Sequence, residues 1–358
     1  MKKVMVAMSG GVDSSAALVM LKERYDVIGV TLKLHDGEFE CAGQKTCCSL
    51  RDIDDAREVA SRFDIMHYVY NMKDLFREKV IDRFISFYER GMTPNPCIDC
   101  NRFIKFEALL ERAEMLGCDY ISTGHYARIE YDESRGRWLL KKAISDEGEN
   151  DKDQSYVLYD LTQYQLAHTL FPLGLMKKSE VRAFAEKNGL VNAHKSDSQD
   201  ICFVPDGDYA SFIRKTTGKT YPSGDVTDSS GKVWGRHDGL INYTVGQRKG
   251  LGIAFGKPMY VTGKDIEQNR LIVGEGNELM SSTLTAADMN WIAFDKPEKP
   301  FSCKAKTRYR MKEQLCTVFP LDDGTVRVEF DEPQRAITSG QRVVFYDDDI
   351  VIGGGIIQ

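Results

Sequence analysis

The chain has 358 residues, 42% hydrophobic and 28% charged, with a net charge of −6 at pH 7. That size and apolar content specify a globular protein of two or three domains with a real core, and the acidic balance excludes nucleic-acid binding by bulk charge alone. No stretch is long and apolar enough to cross a bilayer, and Lys2-Lys3 before Val4-Met5-Val6-Ala7-Met8 falls short of a secretion signal because glycines follow at once. Nine scattered cysteines, an odd number without small-scaffold spacing, place the expected home of the chain in a reducing cytoplasm.

Val4 to Met8 reads as a short strand running into Gly10 and Gly11, with Asp13, Ser14 and Ser15 opening a helix. Two glycines let the backbone turn tightly and approach a ligand, while Ser14 or Ser15 can cap a helix whose free amides favour an anion. The segment is a phosphate cradle without the Gly-Lys-Ser/Thr ending of a kinase-type loop. Val27 to Leu32, Ile65 to Tyr70 and Tyr120 to Thr123 are further strands. Between them run helical patterns: one starting near Ser49 with Leu50, Ile53, Val59, Ala60 and Phe63 on one face, one with Phe76, Val80, Phe84 and Phe87 stopping at Gly91, and one from Asn101 to Gly117. This succession predicts an α/β domain with a doubly wound, mostly parallel sheet, its ligands beyond the carboxyl ends of the strands. The cradle, Leu32 and Gly124-His125 all fall at such ends.

Thr93-Pro94-Asn95-Pro96-Cys97-Ile98-Asp99-Cys100-Asn101 is a proline-stiffened loop in which Asn101 is expected to cap the next helix. A thiol at Cys100 would feel the positive helix end, which lowers its pKa from about 8.5. Cys202 lies in a second polar loop, Ser196 to Phe203, that only the fold can bring near. Three readings stand for Cys97, Cys100 and Cys202: small buried residues, three thiolates for zinc or an iron-sulfur cluster, or a sulfur-transfer pair. Cys41, Cys47, Cys48, Cys118, Cys303 and Cys316 read as structural or incidental.

Beyond about residue 205 helical periods fade, and Ser223-Gly224, Ser230-Gly231 and Gly263-Lys264 look like hairpin corners. From about Leu284 the pattern is nearly all β, with strands at Thr317 to Pro320, Thr325 to Phe330 and Arg342 to Tyr346, as in a small barrel. Gly353-Gly354-Gly355 is expected to permit close backbone approach. Lys304, Lys306, Arg308, Arg310 and Lys312 alternate, so in one strand they would project from one side along about 26 Å as a phosphate ruler. Arg248-Lys249 among glycines is a second basic loop. The expected domains are 1–205, 206–283 and 284–358.

Ser9-Gly10-Gly11-Val12-Asp13-Ser14 resembles the pyrophosphate (PP) loop of the ATP pyrophosphatases, the adenine-nucleotide α-hydrolase-like fold. With Thr93-Pro94-Asn95-Pro96, Cys100-Asn101, Thr123-Gly124-His125-Tyr126, Lys152-Asp153-Gln154-Ser155-Tyr156, Ile201-Cys202-Phe203, Gly246 to Gly252 and Lys306 to Arg310, the chain resembles the tRNA-specific 2-thiouridylases over nearly its whole length. The resemblance implies a PP-loop domain, a small central domain and a C-terminal β-barrel. It implies that Ala7, Met8, Ser9, Gly10, Gly11, Val12, Asp13 and Ser14, with Leu32 and Gly124, bind ATP with magnesium. Asn95, Pro96 and Cys97 would line the target base, and His125, Lys152, Asp153, Gln154, Arg308, Tyr309 and Gln341 would touch tRNA. Cys202 would carry a persulfide and Cys100 act as its partner nucleophile, in a pairing that ends as a Cys100–Cys202 disulfide. Many members carry aspartate where this chain has Cys97; Asp99 is near but displaced, and the change creates the Cys-x-x-Cys pair. The implied reaction adenylates the wobble uridine and delivers sulfur from a donor such as a cysteine desulfurase or a sulfur-relay protein. The alternatives are a PP-loop synthetase that adenylates a carboxylate, a cluster-dependent tRNA thiolase, and an RNA-binding protein that holds ATP structurally.

Overall fold

The computed structural model describes residues 1–35, 50–144, 152–195, 201–204 and 206–358. Cys41, Cys47, Cys48, Ser49 and the 196–200 part of the polar loop lie outside the described residues. Five parallel strands form the first sheet in the spatial order His67–Asn71, Asp26–Lys33, Lys3–Ala7, Tyr120–Ser122, Thr169–Leu170. The chain starts in the middle, builds to one side, then returns to build on the other. The loops leaving Lys3–Ala7 and Tyr120–Ser122 therefore diverge at neighbouring carboxyl ends, which opens the crevice that doubly wound sheets use for ligands. Val4, Met5 and Val6 are fully buried, as expected for a strand covered on both faces.

Gly91 (φ 79°) and Gly117 (φ 68°) end helical runs as expected. Met92 N donates to Phe87 O and Cys118 N to Ala113 O, each at 2.9 Å, closing both ends by the six-residue bond of a left-handed terminus. The start of the second run differs from expectation. Helix begins at Pro96 with Asn95 extended before it, because proline suits the first turn, where an amide donor is not needed. Asn101 is not a cap: it is buried inside the helix and donates from Nδ2 to Val157 O at 2.9 Å.

The central sheet orders Tyr260–Asp265, Arg270–Gly274, Gly224–Thr227 and Val233–His237. Ser230-Gly231 is a corner, with Gly231 at φ 85°. Gly263-Lys264 is not; it sits at a bulge inside a strand, and the chain turns instead before Asn269 (φ 50°). The C-terminal barrel has six strands, Met280–Trp291, Val326–Arg335, Gln314–Pro320, Phe301–Lys306, Arg342–Asp347 and Ile350–Ile357, closed by pairing of the first with the last. A Cβ on Gly354 would lie 2.5 Å from Val343 O and one on Gly353 2.3 Å from Asn290 O, so the glycine run does admit close backbones. The hairpin Ala127–Asp132 and Arg137–Lys142 leaves the first domain and extends the barrel sheet through Lys141 beside Ile350. One apolar cluster runs from Met5 and Val30 through Phe84 and Phe203 to Val344, Tyr346 and Val351, so the parallel sheet and the barrel share a core.

The phosphate ruler does not form. The strand ends at Lys306, whose side chain lies over the Tyr346 ring near Glu313, and residues 307–313 turn away. Alternation in sequence fails here because a tight connection to the next strand interrupts the extended backbone that alternation requires.

Candidate nucleotide and thiol site

The cradle leaves Lys3–Ala7 at Met8 and enters the helix Val12–Lys22. Gly10 has φ 71°, and a Cβ there would stand 2.4 Å from Asp52 O, so the turn has no room for a side chain. Ser14 is buried and ties the loop together, accepting from Ser9 N at 3.1 Å and donating from Oγ to Gly11 O at 3.1 Å. The expected serine cap is therefore an internal brace, and the N-cap is Gly11, which offers no side chain. Across the crevice, a Cβ on Gly124 would lie 2.7 Å from Ser14 N, so this glycine lets the second loop close on the helix N-terminus.

Sequence reasoning missed the partners that hold this loop. Asp13 receives both oxygens' bonds from Lys178 Nζ at 2.7 Å and one from Tyr126 Oη at 2.7 Å. Lys195 Nζ donates to Gly10 O at 3.0 Å and to Asp52 and Asp55 at 2.5 and 2.7 Å. Burial works against the Lys195 charge, but these bonds prevail and raise its pKa above the ordinary lysine value. Asn192 Nδ2 donates to Gly10 O at 3.0 Å and Ser15 Oγ at 2.8 Å. Nothing local marks Lys178, Asn192 and Lys195; they lie 165 or more positions from the loop in sequence, and the packing of Lys178–Lys187 against Val12–Lys22 brings them in. Among the described residues two ammonium groups face three carboxylates, so these lysines brace the cradle, and the helix N-terminus supplies attraction for an anion.

His125 is buried, hydrogen-bonded to Thr123 Oγ1 at 2.6 Å, and flanked by Phe106 and Phe171 at 5.8 and 5.9 Å. Burial, helped by Lys105, pushes its pKa well below the ordinary histidine value, so the ring stays neutral. Asp153 is also buried and accepts from Ser155 Oγ at 2.7 Å and Ala143 N at 3.0 Å; burial raises its pKa against those bonds. Gln154 is bonded to the Tyr126 backbone in both directions at 2.9 Å. Tyr309 is 38% exposed and its hydroxyl donates to Asp153 O at 3.1 Å. Arg308 turns inward, donating to Ala336 O at 2.9 Å and Thr338 Oγ1 at 2.7 Å and reaching Val245 O at 3.4 Å. Thus the 152–154 segment meets Tyr309, whereas Arg308 bridges the central domain and the barrel.

Asn95 and Pro96 start the cysteine helix, with Cys97 exposed and Cys100 buried. Cys100 lies a full turn inside, so Cys97 and not Cys100 is nearer the positive end. From Cys100 to Ala108 the helix widens, Leu109 N bonding Ile104 O across five residues; such widening is common at functional sites. Asp99, the displaced candidate acid, is 2% exposed and bonded to Arg342 at 3.3 Å, so its carboxylate is held by the barrel. Cys202 is half-buried and packs on the same apolar cluster as Cys100, and its neighbour Phe203 meets Phe84 edge-on at 5.2 Å. Ala7, Leu32 and Leu34, at the carboxyl ends of the two central strands, belong to that cluster too. Among the described residues no three His, Cys, Asp or Glu side chains converge as a metal site.

A five-stranded parallel sheet with a braced glycine cradle at its point of reversal, followed by a small β domain and a closed barrel, defines an ATP-using enzyme of the PP-loop class. Family models match in the same sequence: the tRNA methyl transferase HUP domain over residues 2–206, the tRNA methyl transferase PRC-barrel domain over 210–275, and the aminomethyltransferase beta-barrel domain over 281–357. The tRNA-specific 2-thiouridylase MnmA of Acetivibrio thermocellus is 54% identical over 361 residues, covering 100% of this chain and 99% of its own. That of Clostridioides difficile is 49% identical over 358 residues, covering 100% and 98%, and MnmA 2 of Caldanaerobacter subterraneus subsp. tengcongensis is 54% identical over 359, covering 99% and 98%. The chain belongs to the tRNA-specific 2-thiouridylase family.

Proposed function

We propose that the enzyme activates the 2-carbonyl of a tRNA wobble uridine with ATP and replaces its oxygen by sulfur. The observation that carries this reading is the single apolar cluster on which Cys100, Cys202 and the carboxyl ends of the nucleotide-side strands all pack. ATP lies with its phosphates at Ser9 to Ser14, and the uridine is extruded toward Asn95, Pro96 and Cys97. The carbonyl oxygen attacks the α-phosphate and pyrophosphate leaves. The outer sulfur of a Cys202 persulfide then attacks carbon 2, and AMP departs with the former carbonyl oxygen. Cys100 thiolate attacks the inner sulfur, so the S–S bond to the transferred atom breaks and a Cys100–Cys202 disulfide forms. The transferred sulfur is thereby reduced and the two thiols are oxidised, and a separate thiol reductant resets the pair.

Asp13 is already engaged with Lys178 and Tyr126, and the five charged groups at the loop among the described residues sum to −1, so a magnesium ion arriving with ATP would supply phosphate neutralisation that these groups do not. The cluster-dependent variant draws no support from the described residues, where no ligand set converges. A methyl transfer, as in the family model's description, has no use for a phosphate cradle. Tyr309, the 152–154 segment and Gln341 are the tRNA contacts this reading favours, with a cysteine desulfurase or sulfur-relay protein as donor. No described helix is long and apolar enough to cross a membrane. Incubating the protein with ATP, unmodified tRNA and a persulfide source should give AMP and 2-thiouridine in equal amounts, both dependent on tRNA. AMP formation that ignores tRNA, or tRNA that stays unthiolated, refutes the reading.

A further inference from the structure

Asp99 sits between Cys97 and Cys100 on the cysteine helix, yet faces away from the crevice into the seam with the barrel. Its Oδ1 meets Arg342 Nη2 at 3.3 Å and Arg83 Nη2 at 3.6 Å, and both Asp99 and Arg342 are only 2% exposed. One turn along, Arg102 bonds Asp160 at 3.1 Å and Asp288 of the barrel at 3.2 Å. Three arginines and three aspartates, drawn from two helices, the segment after Ser155–Leu158 and two barrel strands, therefore balance in one seam. Around them the fit is tight. A Cβ on Gly340 would lie 2.8 Å from Met92 Cβ and 3.0 Å from Thr93 N, while Thr93 N donates to Ser339 O at 2.9 Å and Tyr156 Oη to Arg342 O at 2.8 Å.

As a source of stability this arrangement is poor. Asp99 Oδ2, Arg83 Nε and Arg342 Nε have no hydrogen-bond partner among the described residues, and buried ion pairs recover their desolvation cost only when fully bonded. What such a pair does supply is register, because apolar faces slide and rotate at little cost whereas paired charges do not. In a helix Cys97 lies about 200° and Cys100 about 100° around the axis from Asp99, so fixing Asp99 fixes the direction of both thiols. Gln341, a proposed RNA contact, immediately precedes Arg342 in the chain.

We propose that Arg342 is a positioning residue: through Asp99 it ties the seating of the barrel on RNA to the orientation of the thiol-bearing turn. The inference rests on the proposed thiolation and assigns its control to a residue outside the pocket. Arg342→Met, Arg342→Lys and the apolar double variant Asp99→Leu/Arg342→Met provide the test, beside wild type, with thermal melts, ATP affinity, and AMP and 2-thiouridine measured together. A second readout needs no turnover: the rate at which iodoacetamide alkylates Cys97, followed by mass spectrometry. Arg342→Met is expected to lower 2-thiouridine formed per AMP by about tenfold, as displaced reacting groups do, with ATP affinity unchanged and Cys97 alkylation altered. Arg342→Lys recovers much of the ratio. The double variant melts like wild type but keeps the low ratio and the altered alkylation. A wild-type ratio in the folded double variant, or unchanged alkylation in every variant, overturns the proposal. Wild type failing to make 2-thiouridine, with alkylation still responding to Arg342, sinks the thiolation reading and leaves the positioning role standing.

Discussion

Gly10 and Gly11 are neighbours in one loop, and the structure assigns them opposite tolerances. Alanine at Gly10 must hold φ near 71°, a left-handed conformation costing about 1–2 kcal/mol for a residue with a Cβ. Its methyl would also enter the 2.4 Å gap to Asp52 O, where the nearest atoms are backbone and cannot swing aside. Overpacking of that kind costs about 1–3 kcal/mol, so Gly10→Ala should lose about 2–5 kcal/mol. That is a large share of a typical stability of about 5–15 kcal/mol. Gly11 has φ −89° and ψ 163°, ordinary extended values, and its nearest neighbour to an added Cβ is Ser9 Oγ at 3.4 Å. Gly11→Ala should change stability by no more than about 0.5 kcal/mol. Urea denaturation of both variants, with ATP affinity alongside, separates the roles: Gly10→Ala loses fold and nucleotide together, Gly11→Ala loses nucleotide affinity at most. Equal stability of the two variants would refute the account of the cradle.

Three more outcomes follow from the same geometry. Lys195→Met removes the cation that Asp52 and Asp55 share and takes one of two donors from Gly10 O, leaving Asn192, so stability should fall by about 3 kcal/mol in urea melts and ATP affinity should weaken. Burial, with Arg57, lowers the His67 pKa to about 4, so the unfolded chain takes up the proton first. The stability this histidine contributes is whole above about pH 6.5 and is lost as pH falls toward about 4, by up to about 1.4 kcal/mol per pH unit. Wild type should therefore lose more stability than His67→Gln between pH 7 and pH 5; equal losses contradict the assignment. Arg308→Ala should lower the melting temperature, since it removes bonds to Ala336, Thr338 and Val245. Exposed Lys304 or Arg310 changed to alanine should instead spare the melt and, where it touches phosphate, reduce the salt slope of tRNA affinity by about one.

Where the sequence was legible, local physics and fold agreed. The apolar run before Gly10, the terminating Gly91 and Gly117 and the three barrel strands expected at 317–320, 325–330 and 342–346 each carry their own signal, and each appears where expected. Thr169–Leu170 was invisible because two residues have no period. The hairpin at Ala127 to Lys142 has strand character, but nothing in it says that it joins a sheet formed some two hundred residues later. The same limit hid Lys178, Asn192 and Lys195. Their partners are chosen by which helices pack together, and side-chain chemistry alone does not disclose that. Asn101 misled because Asn is a common cap; Pro96 was the better signal, since a proline two residues into an extended stretch fits a first turn. The alternating lysines and arginines misled because a period of two reports a strand only while the backbone remains extended.

The central claim, that Cys202 carries the sulfur and Cys100 resolves it beside the activated uridine, is tested most directly by nucleoside mass spectrometry. Single-turnover reactions with ATP, unmodified tRNA and persulfide-loaded protein should yield 2-thiouridine and a Cys100–Cys202 disulfide in wild type. Cys202→Ser should give neither, while binding ATP as wild type does. Full thiolation of the wobble uridine by Cys202→Ser or by Cys100→Ser would contradict the account.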